Sequence, residues 1–223
     1  MSGPSVAAAV LRKDLRLDLR SRDRLGHMAL FALLVVALVS VFAPVSKAER
    51  LAWTPALLWI VLLFTSVLGL ARSLQSETEE GAVAFLAQAP VDRGWIFVGK
   101  ATATLIALLA VELWTAVLFT VFLDVDWTPG LASCALGAVL GAVGLSAIGT
   151  LFSALAMGAR FPQFLFPALF FPIVLPILVW ASKITAAGLG GGDTPLQLWL
   201  VFFVYDWAFA LIGYFGFDYV LED

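Results

Sequence analysis

Six long apolar stretches separated by short polar breaks constrain this chain more than any other feature. They lie at about Gly26–Val45, Trp53–Ala71, Ala101–Leu123, Leu131–Met157, Gln163–Ser182 and Leu196–Phe217. Each is long enough, at the helical rise, to cross a hydrocarbon layer of roughly 30 Å. Only 13% of the 223 residues are charged and 62% are apolar, too little polar surface to coat a water-soluble body of this length. Backbone groups in hydrocarbon must be paired within their own segment, so the spans are read as helices. A barrel would show short alternating segments instead. The fold class expected is therefore an all-α, six-span membrane protein. It divides into residues 1–25, a basic amphipathic helix, and 26–223, a single six-helix domain.

Residues Ser5–Leu25 repeat leucine at helical spacing (Leu11, Leu15, Leu19), with Arg12, Lys13, Arg16, Arg20, Arg22 and Arg24 between. This pattern predicts a helix in the headgroup layer, its basic side chains toward lipid phosphates. The same residues also serve as a plain topology anchor. No cleavable signal peptide is read here, and the first span is expected to stay as the insertion signal. Besides these six basic residues, Arg72, Arg93 and Lys100 lie in the second polar break and Arg160 in the fourth. Only Lys47, Arg50 and Lys183 lie on the other side. The excess places both termini and the Arg72–Lys100 loop in the cytoplasm.

That loop, RSLQSETEEGAVAFLAQAPVDRGWIFVGK, is the only sizeable polar stretch in the middle of the chain. Ser76 and Glu79 have the spacing of a capping box that starts a helix. Glu77, Glu79 and Glu80 form an acidic cluster, and Val83 and Leu86 supply an apolar face. Pro90 ends the helix by Ala89, and Pro90–Gly94 turns the chain back. A short amphipathic helix there lies on the membrane surface, docks into a groove of a soluble partner, or merely links two spans.

Within the spans, Glu112 and Asp206 are costly to hold in hydrocarbon and are expected to face the protein interior. They are read either as interhelical hydrogen-bonding groups or as parts of a substrate path or proton relay. Gly137 and Gly141 make a G-x-x-x-G pair, followed by Gly144 and Gly149. This is a packing seam, within the subunit or between two copies, or ordinary glycine abundance. Pro167, Pro172 and Pro176 fall inside the fifth span, among Phe164, Phe166, Phe170 and Phe171. They predict a kinked helix, beside a substrate route or facing lipid. His27 is read as interfacial and Cys134 as a small packing residue. With no paired Cys or His, no metal site is argued. Gly190-Gly191-Gly192 lacks the Gly-Lys-Ser/Thr of a phosphate loop, and Gly99-Lys100 lacks its flanking residues, so no ATP site is recognised. Asp126-Trp127 is too little for a haem-binding platform. No nucleophile stands beside a base, and a basic cluster abutting a span argues against nucleic acid.

These residues resemble a known family, haem exporter protein B (CcmB) of the cytochrome c maturation system, among the six-span permeases of the ABC-2 type (type V exporter-like). The resemblance covers nearly the whole chain. It rests on Lys13-Asp14-Leu15 with Leu19-Arg20-Ser21-Arg22, and on Glu77, Glu79 or Glu80, Gly81, Leu86, Pro90-Val91-Asp92-Arg93 and Gly99-Lys100. Phe171-Pro172 with Pro176 adds to it. The loop pattern is shared across ABC-2 permeases; the compact length and the fifth-span prolines favour the haem branch. The resemblance implies a non-catalytic permease subunit of the bacterial inner membrane, working as two copies with two copies of an ATP-binding subunit (CcmA-like). Glu77, Glu79, Glu80, Gly81, Leu86 and Pro90 would couple to that subunit. A haem-handling membrane protein (CcmC-like), a small accessory protein (CcmD-like) and a periplasmic haem chaperone (CcmE-like) would complete the system. Haem would be cargo of the complex and ATP would be bound by the partner. Two other readings compete. One is an ABC-2 permease for a lipid, polysaccharide or drug; the other is a stand-alone proton-driven carrier using Glu112 and Asp206.

Overall fold

A computed structural model describes residues 3–21, 23–43, 46–79, 92–157, 159 and 161–220. Seven α-helices are present among them: α1 Gly3–Ser21, α2 Asp23–Phe42, α3 Lys47–Glu79, α4 Arg93–Leu123, α5 Leu131–Met157, α6 Pro162–Leu189 and α7 Leu196–Val220. No strand occurs among the described residues. Helices α2 to α7 are each long and apolar enough to cross a membrane. The all-α, six-span class is thus the observed one.

Several helices run past the expected span limits. Helix α3 has 33 residues and α4 has 31. At 1.5 Å per residue they are about 50 Å and 46 Å long, well beyond a hydrocarbon core. Both overshoot at the end where they flank residues 80–91. Ser76 lies inside α3 and does not start a new helix, because Arg72–Glu79 simply continues the preceding one. At the other flank, Arg93–Lys100 is the first part of α4 and not loop.

Helix α5 is the centre of the bundle and packs most extensively on α6. Its glycines each seat a side chain from another helix. Gly137 lies under Ile184 of α6, Gly141 under Trp59 of α3, Gly144 under Asp206 of α7 and Ile177 of α6, and Gly149 under Leu70 of α3. The seam is therefore internal to the subunit. A Cβ at Gly137 would come 2.9 Å from Ile184, closer than real side chains approach. Interhelical hydrogen bonds supplement this packing. Trp59 Nε1 donates to Thr185 Oγ1 at 3.0 Å, Trp114 Nε1 to the Ala29 carbonyl at 3.1 Å, and the Tyr205 hydroxyl to the Ile173 carbonyl at 2.5 Å. Thr54, Thr65 and Thr115 instead donate to the carbonyl four residues back. That bond satisfies a hydroxyl in hydrocarbon without a partner helix. Cys134 is buried in the same core, as its packing role requires. The outward faces of α2 and α7 are apolar: Leu30, Leu34 and Leu38 on one, Leu200, Val204 and Leu211 on the other.

The turn after α4 closes on Asp124, a non-glycine residue at φ 54°. A 3-10 turn, Thr128–Gly130, then packs Gly130 on Gly188 at the end of α6.

Candidate coupling site and intramembrane acids

The start of α4 is the most elaborately held element at the end where both termini lie. Asp92 is its N-cap: Gly94 N–H donates to Asp92 Oδ1 at 2.9 Å, satisfying one of the free amide groups of the first turn. The other carboxylate oxygen accepts from the Tyr214 hydroxyl of α7 at 3.0 Å. Trp95 packs edge-on to Tyr214 with ring centroids 5.9 Å apart, and Phe97 packs on Phe217 at 5.6 Å and over Gly213. Asp92 and Tyr214 carry no role in the sequence reading, which placed Asp92 in a turn. An Asp directly before a long apolar run is an N-cap signal, and it was available there.

Helix α1 grips the same element from another side. Gly3 sits against the Trp95 indole, and Gly99 sits under Ala7 and Val10. A Cβ at Gly99 would come 2.7 Å from the Ala7 carbonyl oxygen and 2.8 Å from Val10 Cβ. One helical step on, Lys100 Nζ lies 3.9 Å from Asp14 Oδ2, and Lys13 Nζ lies 3.1 Å from Asp14 Oδ1. At the far end of α1, Asp18 pairs with Arg24 of α2 at 2.7 Å. Burial pushes the Asp18 carboxyl up from its ordinary value, against the pull of Arg24. The face turned to the protein is thus Gly3, Val6, Val10, Asp14 and Asp18. The expected Leu11–Leu15–Leu19 stripe lies beside it, with Leu19 70% exposed. The two backbones approach because Gly99 of α4 carries no side chain there. Arg12, Lys13, Arg16 and Arg20 are exposed. A cavity of about 20 Å³ lies among Asp14, Arg24, Lys100, Thr104 and Thr150, room for one water molecule.

Of the expected coupling residues, Glu77 and Glu79 lie on the last turn of α3. Glu80, Gly81, Leu86 and Pro90, with the amphipathic helix expected around them, lie outside the described residues.

Glu112 on α4 and Asp206 on α7 do face the interior, with 6% and 1% exposure. The interhelical hydrogen bonds expected of them are not made: no carboxyl oxygen of either has a hydrogen-bond partner among the described residues. Asp206 lies against the Gly144 backbone. A groove of about 290 Å³ between α4, α5 and α7 is lined by Phe97, Leu105, Val143, Ser146, Trp207 and Tyr214. It is almost wholly apolar. A second, of about 230 Å³, lies at the opposite end against Arg50 and Trp53.

Pro167, Pro172 and Pro176 all sit inside α6, which stays one helix from Pro162 to Leu189. Phe166 and Phe170 are buried and stacked at 5.2 Å, while Phe164 is exposed. Neither groove is lined by α6. At the opposite end, Asp126 accepts from Thr128 N–H at 3.0 Å and its hydroxyl at 2.7 Å, and Trp127 donates to Thr120. His27 is exposed, and its Nδ1 donates to the Asp23 carbonyl one turn back.

The family model described as CcmB protein matches residues 5–217. Heme exporter protein B of Rhodobacter capsulatus is 31% identical over 184 residues, covering 82% of this chain and 84% of that protein. Heme exporter protein B of Paracoccus denitrificans is 29% identical over 191 residues, 85% of this chain and 87% of that one. The protein of the same name from Pseudomonas aeruginosa is 26% identical over 207 residues, 88% of each.

Proposed function

The chain belongs to the CcmB protein family, and from that premise we propose that it is the membrane permease subunit of an ABC transporter serving cytochrome c maturation. It sits in the bacterial inner membrane with both termini in the cytoplasm. Two copies work with two copies of a separate ATP-binding subunit, and the permease itself carries out no chemistry. The complex handles haem, in delivering it to a periplasmic chaperone or in releasing that chaperone. A CcmC-like haem-handling protein and a CcmD-like accessory protein are the further partners.

The observation that carries this reading is the match over residues 5–217, nearly the whole chain. The fold is consistent with it. The two longest helices, α3 and α4, both lead to residues 80–91 and extend past a bilayer core there. That segment is the proposed docking site for the ATP-binding subunit, with Glu77, Glu79, Glu80, Gly81, Leu86 and Pro90 in contact. Glu112 and Asp206 are proposed as intramembrane functional acids, and Pro167, Pro172 and Pro176 as the bend in α6.

Deleting the gene is expected to abolish covalent haem on c-type cytochromes, read by haem staining of membrane proteins. Normal staining in the deletion strain points to an ABC-2 permease for another cargo. Replacing Glu77, Glu79 and Glu80 together by alanine is expected to release the ATP-binding subunit during purification in mild detergent, or to leave it bound but unstimulated. Unchanged co-purification and unchanged ATPase stimulation remove the docking assignment.

A further inference from the structure

Two short sequence motifs far apart in the chain, Lys13-Asp14-Leu15 and Gly99-Lys100, meet in the fold. Gly99 has no side chain, so the α1 backbone at Ala7 and Val10 lies directly on α4. The next residue, Lys100, reaches back to Asp14, with side-chain exposures of 8% and 17%. Gly3 against Trp95 adds a third point of contact. Helix α1 is therefore held along twelve residues, Gly3 to Asp14, by the first eight residues of α4. Its other end is tied to the start of α2 by Asp18–Arg24 at 2.7 Å. The same base of α4 is also gripped by Tyr214 and Phe217 of α7.

A buried ion pair is a poor way to add stability, because desolvation offsets the attraction and apolar replacements hold as well or better. What such a pair supplies is register. We infer that Asp14 and Lys100 are positioning residues: they lock α1 to the base of α4, so that a displacement of that base is carried through α1 into α2. This rests on the docking assignment given above. It adds a second route out of the base of α4. One runs along α4 itself; the other runs through α1 and Asp18–Arg24 to the first span.

The test uses the complete complex with its ATP-binding subunit in mild detergent. The variants are Lys100→Met, the apolar double variant Asp14→Leu with Lys100→Met, and the swap Asp14→Lys with Lys100→Asp. The double variant is expected to keep its thermal stability and to co-purify the ATP-binding subunit. Its haem attachment to c-type cytochromes is expected to fall about tenfold, the scale of residues that couple distant sites without touching ligand. The swap, which restores a pair at the same place, is expected to recover most of that loss. Wild-type attachment in the double variant overturns the inference, as does a swap that recovers nothing. If the double variant does not fold, the swap alone decides. Should the wild-type complex hold no ATP-binding subunit at all, the docking assignment fails; an intact complex with an indifferent pair sinks only the positioning role.

Discussion

The two ends of the helix bundle each carry a lysine–aspartate pair, and the two pairs differ in almost every respect that matters. At the end that holds both termini, Lys100 and Asp14 are 3.9 Å apart with side chains 8% and 17% exposed, beside a glycine notch that brings two helices into backbone contact. At the opposite end, Lys47 and Asp124 are 3.7 Å apart with side chains 60% and 77% exposed. The distances are similar; the surroundings are not. Water screens the outer pair, and such pairs contribute about 0–1 kcal/mol. The inner pair is shielded, so its partners constrain one another's position. One end is a joint and the other is a set of short turns.

Four substitutions test that contrast, from the largest effect to the smallest. Gly99→Val should be the most damaging, since its Cβ would sit 2.7 Å from a main-chain oxygen that cannot rotate away. Overpacking of this kind costs about 1–3 kcal/mol, and a lowered melting temperature of the purified protein checks it. Lys100→Met should cost about 2 kcal/mol by the same measurement, below the ~3–5 kcal/mol of a fully buried pair. The discount reflects Lys13, which stays 3.1 Å from Asp14. Lys47→Ala should change stability by less than about 1 kcal/mol, and raising the salt concentration should erase even that. A large effect there would erase the distinction between the two ends.

The smallest effect concerns Asp126. The Thr128 backbone amide and then its hydroxyl hold this carboxyl below the ordinary value of 3.8. A carboxyl lowered in the folded state contributes stability that is present above its unfolded value and is lost as pH falls through the folded one. Acidification below 3.8 should therefore loosen this turn. Thr128→Val should move the Asp126 titration upward, read by NMR of the carboxyl carbon, with a small drop in the melting temperature at neutral pH that fades as the pH falls below 3.8.

The six spans were legible because hydrocarbon imposes a length and a composition that a linear scan detects. Their ends were less so. Arg72–Glu79 looks like loop by polarity, yet it continues a helix, because polar side chains are tolerated in a helix once it leaves the bilayer; Arg93–Lys100, despite its apolar Trp95-Ile96-Phe97-Val98 core, was read as loop and is the start of α4. The Ser76–Glu79 spacing misled for a related reason: the capping signal marks a helix start only where the preceding residues are not already helical. Helix α1 was read from its leucines, of which Leu19 is exposed, whereas Gly3, Val6 and Val10 lie on α4. Pattern reading weights large apolar residues, and the notch at Gly99 that seats Val10 carries no such signal. The acids Glu112 and Asp206 were correctly turned inward, but the hydrogen bonds expected of them are absent among the described residues.

Read along its length, the chain already declares a membrane protein of six helical spans that resembles one family. Those properties follow from residue type and order, summed over twenty residues at a time. Only the tertiary structure decided that four glycines of α5 seat three different helices, that Asp92 is shared by α4 and Tyr214, and that Asp14 meets Lys100. Each of those depends on where helices cross. Crossing points are set by the fit of many small contacts at once, which no local stretch of sequence contains.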